Sequence, residues 1–320
     1  MPARTLAPIL IFGPTASGKS AVALALAERL GGAVVNADSQ QVYRDWRVLT
    51  ARPTAADEAR APHRLYGHVP LDADHSVGRW LAEVEAVLAE CAESGLPPIL
   101  AGGTGLYFRA LTRGLAPVPP VPAEARAEAE ATLARLGRQR FADALAARDP
   151  ATAATLDAAN PARLVRAWEV LEATGRPLAH WQSETPPPIV DPGRAVRLVL
   201  DPPRAWLAER IGRRLEGMVA EGALDEVAAA TARGLPWSAP GMKALGARDL
   251  ARHLAGDCTL DEALAAAAAA TRRYAKRQAT WARGQMPDWP RVTTTDRAEA
   301  VRAILADARA PASETGRGRG

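Results

Sequence analysis

Residues 7–20 read APILIFGPTASGKS, an apolar run that stops at Gly13 and opens into Gly13-Pro14-Thr15-Ala16-Ser17-Gly18-Lys19-Ser20. In a G-x-x-x-x-G-K-S loop the glycines let the backbone wrap so that successive N–H groups point inward at phosphate oxygens. Lys19 supplies a point cation, and the Ser20 hydroxyl is placed to ligate Mg²⁺. Val22, Leu24, Leu26 and Leu30 then recur among alanines, which predicts a helix over 20–30 closed by Gly31-Gly32. The N-terminus of that helix adds partial positive charge at the same point. A glycine-rich turn that merely caps a helix has similar residues, but the strand–loop–helix context favours a cradle for a di- or triphosphate.

Working outward, 33–37 is a second apolar run, 80–91 an amphipathic helix, and 97–101 a third strand ended by Gly102-Gly103. This alternation predicts a parallel α/β sheet. After Gly114 the pattern changes. Pro117, Pro119, Pro120 and Pro122 read as a linker, 124–173 as several helices, and 185–188 (Thr-Pro-Pro-Pro) as their close. The run 195–200 reads as a strand returning to the sheet, and long helices follow over 204–222 and 260–284. The expectation is an α/β core of 1–116 and 195–310, a helical insertion at 117–194, and a disordered basic tail at 311–320. No internal repeat is visible at periods of ~20–50 residues.

Composition narrows the class. A 48% hydrophobic and 24% charged chain of 320 residues is not generally disordered. The longest uncharged stretch, 94–108, is broken by Pro and Gly and falls short of the ~20 residues that span a bilayer. The apolar run 9–12 is too short for a secretory signal. A soluble, cytoplasmic, monomeric protein with no membrane partner is expected. Cys91 and Cys258 match no disulfide or metal spacing, and His63, His68, His75, His180 and His253 form no ligand spacing. The net charge of +4 permits a polyanionic partner. Only Lys19, Lys243 and Lys276 are lysines among 40 basic residues.

Two clusters carry chemistry beyond the cradle. Residues 34–38 end in Asp38, followed by Ser39-Gln40-Gln41-Val42-Tyr43-Arg44, at the carboxyl edge of the sheet where open α/β folds bind ligands. These residues suit a hydrogen-bonding acceptor substrate; they are equally able to cap the next helix. From 263 to 287 there is no carboxylate, yet Arg272, Arg273, Lys276, Arg277 and Arg283 fall there with Gln278 and Trp281 between them. Such a face either binds RNA phosphates and bases or is a solvated surface.

Together these pieces resemble the tRNA dimethylallyltransferases. The resemblance rests on 13–20, Asp38-Ser-Gln-Gln-Val-Tyr-Arg44, Pro62-His63, Ala101-Gly-Gly-Thr-Gly-Leu-Tyr-Phe108 and Asn160-Pro-Ala-Arg-Leu-Val-Arg-Ala167. It continues in Arg210-Ile-Gly-Arg-Arg214 ahead of Met218, Ala244-Leu-Gly246 and Lys276-Arg-Gln-Ala-Thr-Trp281. It implies a P-loop NTPase-like sheet that uses its cradle for the diphosphate of dimethylallyl diphosphate, with Mg²⁺ held at Ser20 and Thr104. Gly13, Pro14, Thr15, Ala16, Ser17, Gly18, Lys19, Ser20 and Arg214 would bind the diphosphate. Asp38 would be the catalytic base on the N6 amine of an adenosine beside the anticodon, with Thr104 also catalytic. The anticodon stem-loop would meet Asp38, Ser39, Gln40 and Gln41; Arg126, Ala162, Arg163 and Arg166; Lys243, Gly246 and Arg248; and Arg273, Lys276, Arg277, Gln278 and Trp281.

The sequence departs from the family at two places. Residues 45–53 lack the usual acid and one glycine and carry Arg52 for lysine, and 64–67 lack an acidic residue. Both border the acceptor site. Two other functions use parts of the same pattern. A small-metabolite kinase would use the cradle for ATP, and a nucleotide-gated RNA-binding protein would use the basic face without chemistry.

Overall fold

The computed structural model describes residues 7–309; the expected tail at 311–320 lies outside the described residues. Two compact units are present, one taking the chain up to Thr112 and again from Ile189, the other Arg113–Pro188.

The first unit is built on six parallel strands: β1 (Ile9–Phe12), β2 (Ala33–Asn36), β3 (His63–Arg64), β4 (Pro98–Gly102), β5 (Val196–Leu200) and β6 (Arg291–Val292), in the order β3-β2-β4-β1-β5-β6. β1 is central, with Ile9 opposite Ile99 on one side and Val196 on the other. Strands covered on both faces read as continuous apolar runs, and alternate residues of β1 enter different cores. Leu10 and Phe12 join Trp80, Val84 and Phe108. Ile9 and Ile11 join Val22, Ala23 and Leu26 of the helix Lys19–Leu30, along with Ile304 and Leu305. A third core, around Trp46, is formed by the helices Arg204–Ala220, Ala223–Thr231, Ala247–Leu254 and Leu260–Gln285.

Helix boundaries follow the local signals. Gly31 closes Lys19–Leu30 in a left-handed conformation, as its position predicts. Ser76 caps Val77–Glu93, and Thr259 with Glu262 forms a capping box at the start of Leu260–Gln285. The edge strands β3 and β6, two residues each, have no sequence signature. Such a sheet, with G-x-x-x-x-G-K-S joining its central strand to a helix, is a P-loop NTPase-like α/β fold carrying an inserted helical unit.

The second unit runs 113–188 rather than 117–194. Val118 and Val121 of the proline-rich stretch pack on its core of Phe141, Leu145, Leu164 and Trp168. Ile189 and Val190 instead pack on the sheet, where the Val190 N–H donates to the Leu111 carbonyl. Among the described residues no helix is long and apolar enough to cross a membrane.

Candidate active site

The 13–20 loop leaves β1 at Gly13, whose N–H donates to the Gly102 carbonyl of β4 at 3.2 Å. Ala16 takes φ +64°, a left-handed conformation that costs a non-glycine residue ~1–3 kcal/mol and is typical of ligand cradles. Lys19 is buried, with Nζ 3.4 Å from the Pro14 carbonyl. Ser20 is exposed, while the buried Ser17 Oγ has no hydrogen-bond partner. Not every amide of the loop is left for a ligand. The Thr15 N–H donates to Gln278 Oε1 at 2.8 Å, from the far end of the chain.

Gln278 is buried and its other end is also engaged, Nε2 donating to the Gly103 carbonyl at 2.8 Å. The glycines after β4 exist for this contact. A Cβ at Gly103 would lie 2.2 Å from Gln278 Nε2, and one at Gly105 2.2 Å from the Trp281 ring. Trp281, half-buried, also approaches Phe12 with ring centroids 6.1 Å apart. Gln278, expected on the RNA, is in this fold a buried strut that holds the phosphate loop to the segment after β4. Gln41, also expected there, is buried, and its Nε2 donates to the carbonyls of Thr50 and Ala51.

Asp38 leaves the end of β2 as the sheet topology dictates. The buried Asn36 grips its backbone twice, Nδ2 donating to the Asp38 carbonyl at 2.9 Å and Oδ1 accepting the Asp38 N–H at 2.8 Å. Asp38 Oδ1 accepts the Gln40 N–H, and the Ser39 N–H donates to Thr104 Oγ1 at 2.9 Å, so Thr104 ties the loop after β4 to the loop after β2. Burial, then the Arg214 charge, pushes the Lys19 ammonium down to about 8 against the opposing field of Asp38. Burial and neighbouring Arg210 hold the half-buried Arg214 below its ordinary value, again with Asp38 opposing. Burial and then the Asp38 charge raise Tyr66, Tyr107 and Tyr274, which leaves these phenols neutral donors. Lys19, Arg214 and three tyrosines thus all sense one carboxylate.

A cavity of about 310 Å³ opens on Asp38. Thr15, Ala16, Asp38 and Arg214 line it together, Leu49, Ile211, Leu215 and Met218 give it an apolar wall, and Lys243, Tyr274 and Arg277 complete it. Its size falls at the low end of the ~300–1,000 Å³ typical of ligand pockets. Gln40 also lines it, and its buried Oε1 has no partner. A second cavity of about 350 Å³ lies on the loop at Lys19 and Ser20 and is strongly basic, with Arg52, Arg60, Arg210, Arg214 and Arg297 around it. Ala16 and Arg214 border both. The loop carrying Leu49 is fixed by Glu226, whose carboxylate accepts the N–H groups of Arg47, Val48 and Leu49. In the departing stretch, Arg52 Nη1 donates to the carbonyls of Tyr43 and Arg44, and Asp45 pairs with Arg233.

Arg273, Lys276, Arg277, Lys243 and Arg248 are exposed, and Gly246, at φ +85°, starts the helix Ala247–Leu254. In the helical unit Ala162, Arg163 and Arg166 are exposed at the start of Pro161–Thr174; Arg166 pairs with Glu169, and Arg126 with Glu130. Sequence reading missed Asn36, Tyr274, Arg210 and the apolar wall. Signals existed for Tyr274, four residues before Gln278 on the same helix face, and for Arg210, Ile211 and Met218, which lie in a motif of the family resemblance.

The family described as IPP transferase matches residues 41–285, and that described as isopentenyl transferase matches 7–70. The tRNA dimethylallyltransferase of Dinoroseobacter shibae is 58% identical over 285 residues, covering 88% of this chain and 93% of its own. That of Paracoccus denitrificans is 56% identical over 283 residues with the same coverage. Among solved structures, the full-length tRNA isopentenylpyrophosphate transferase of Bacillus halodurans is 32% identical, with a TM-score of 0.66 over 94% of this chain and 96% of that one. Thr15 and Ala16 of the phosphate loop line one cavity with Asp38, and that site, on a chain this similar to these enzymes over 88% of its length, places it in the tRNA dimethylallyltransferase family.

Proposed function

We propose that this protein acts in the cytoplasm to transfer the dimethylallyl group of dimethylallyl diphosphate to N6 of the adenosine on the 3′ side of the anticodon in tRNA, releasing diphosphate. The observation that carries this is the shared cavity, where the phosphate loop, Arg214 and Asp38 meet an apolar wall. In the reaction the allylic C1–O bond breaks, a C1–N6 bond forms, and one amine proton leaves.

Inward N–H groups, Lys19 and Arg214 stabilise the charge that grows on the departing diphosphate, and the forked Arg214 guanidinium suits its oxygens. Leu49, Ile211, Leu215 and Met218 receive the prenyl chain and exclude water from the allylic cation character at C1. An exocyclic adenine amine is a weak nucleophile because its lone pair is delocalised into the ring. Asp38 accepts its N–H, orients it and takes the proton as the bond forms. Gln40 Oε1, a buried acceptor without a partner, is suited to a second donor on the base. The base reaches this cavity extruded from its stack, with Arg273, Lys276 and Arg277 on the RNA backbone.

The donors offered to a cation, the hydroxyls of Ser20 and Thr104, are hard oxygens, and they are few. Hard oxygens suit Mg²⁺, which keeps several waters and takes substrate phosphates beside its few protein ligands. Bound there, Mg²⁺ would neutralise charge on the diphosphate.

The test is incubation of the protein with tRNA from cells lacking the modification, adding either dimethylallyl diphosphate or ATP with candidate small acceptors. Mass spectrometry should find N6-isopentenyladenosine only in the first arm. Asp38→Asn should lower transfer by ~10²–10⁴-fold while leaving tRNA affinity within a factor of two or so. ADP formation on a small acceptor with no modified nucleoside would overturn the reading, and an unimpaired Asp38→Asn would remove the carboxylate from the chemistry.

A further inference from the structure

Outside the cavity, and used by none of the chemistry above, three metal-capable side chains converge. His68 Nε2 and His75 Nε2 each lie 3.0 Å from Glu83 Oε2, and all three atoms are within 4.8 Å of one another. Among the described residues this is the one such group. The histidines come from the segment before the helix Val77–Glu93 and Glu83 from within it, so their intervals of seven and eight residues give no ligand motif. The fold alone assembles them.

We propose that His68, His75 and Glu83 form a site for a borderline divalent cation of the Zn²⁺ class, closing the 68–75 segment onto the helix Val77–Glu93. Two imidazoles and one carboxylate suit such an ion and not Mg²⁺, which prefers all-oxygen surroundings. Tetrahedral zinc, with bonds of ~2.0–2.2 Å, needs its ligand atoms about 3.3 Å apart, so the two 3.0 Å separations from Glu83 open only slightly while the imidazole nitrogens, within 4.8 Å, adjust to the same spacing. The three side chains also have the surroundings that metal sites need. His75 is almost wholly buried, its side chain 2% exposed, and its second ring nitrogen lies 3.4 Å from the Tyr107 hydroxyl. His68 and Glu83 are each about one-third exposed, which leaves an entry path and an open fourth position for water.

The ion's role is structural. Tyr107 stacks on Trp80 with ring centroids 4.2 Å apart, Trp80 Nε1 donates to the Asn36 carbonyl, and Asn36 grips the Asp38 backbone. Fixing His75 therefore stiffens the wall behind the carboxylate without touching substrate.

The experiment uses the full chain without a histidine tag, stripped with chelator and titrated with zinc chloride alone, so that its outcome is independent of the proposed transfer reaction. Saturable binding of one zinc per chain is expected, together with a rise in melting temperature. Thr104→Ala should bind zinc like the parent chain, which separates this site from the diphosphate end. His68→Gln and Glu83→Gln should weaken binding by at least tenfold, and Tyr107→Phe by about tenfold, the loss typical of an outer partner of a ligating histidine. Should Glu83→Gln fold poorly, His68→Gln carries the comparison. No saturable zinc binding, or binding unchanged in His68→Gln, would overturn the proposal, the three groups then being held only by their mutual hydrogen bonds.

Discussion

Lys19 is a cation placed where cations are least comfortable until an anion arrives. Burial lowers it to about 8, so at neutral pH it is mostly charged and at pH 8 half charged. Its folded value lies below the unfolded ~10.4, so the unfolded chain binds more protons between the two. Stability contributed through this residue therefore rises as pH increases from about 8 to ~10.4 and is lowest below that window. A bound diphosphate reverses the balance by favouring the charged form. Binding at pH 8 is expected to take up about half a proton through this residue. Calorimetry in buffers of different protonation enthalpy measures that uptake; heats that are the same in every buffer would mean that Lys19 is already fully charged before the ligand arrives.

At the scale of elements, the Gly-Gly-Thr-Gly segment after β4 and the Lys-Arg-Gln-x-Thr-Trp segment of Leu260–Gln285 are two halves of one joint. The missing side chains of Gly103 and Gly105 make room for Gln278 and Trp281, and Gln278 then fixes Thr15 of the phosphate loop. Gly103→Ala puts a methyl group into an occupied space and is expected to cost ~1–3 kcal/mol. Gln278→Ala leaves the Thr15 N–H and the Gly103 carbonyl unpaired, also at ~1–3 kcal/mol. Because both act through one contact, the double variant should be less destabilised than the sum, by more than the ~0.3–0.5 kcal/mol within which independent sites add. Chemical denaturation of the four proteins measures this. Additive losses would mean that the two residues do not share a joint.

Over the whole molecule, one long helix carries positive charge without acid to balance it. Arg272, Arg273, Lys276, Arg277 and Arg283 are exposed on a helix whose last 23 residues carry no acid. With tRNA as partner, log K should fall linearly with log salt concentration, each lost phosphate contact flattening the slope by ~0.7–0.9. Arg273→Ala with Arg277→Ala should therefore flatten it by ~1.4–1.8, read from filter binding across a salt series. A slope identical to that of the parent chain would move the RNA backbone off this helix. The helical unit 113–188 keeps a core of its own around Phe141 and Trp168, which explains how so long an interruption leaves the sheet's strand order intact.

The sequence by itself determined the cradle, the parallel alternation and the carboxylate at a strand end. Each is local: glycine spacing, an apolar run bounded by its breaker, an acid where the run stops. It did not show that Gln278 and Gln41 are buried, which depends on partners elsewhere in the fold, and it was silent on β3 and β6, which at two residues are too short for any periodicity. Only the tertiary structure decided the rest. The apolar wall draws Leu49 from one loop and Ile211, Leu215 and Met218 from a distant helix, and Thr15 meets Gln278 across 263 residues. His68, His75 and Glu83 converge without any ligand spacing. Propensity and pattern act along a few residues of chain, whereas packing compares surfaces that meet only once the chain has closed on itself.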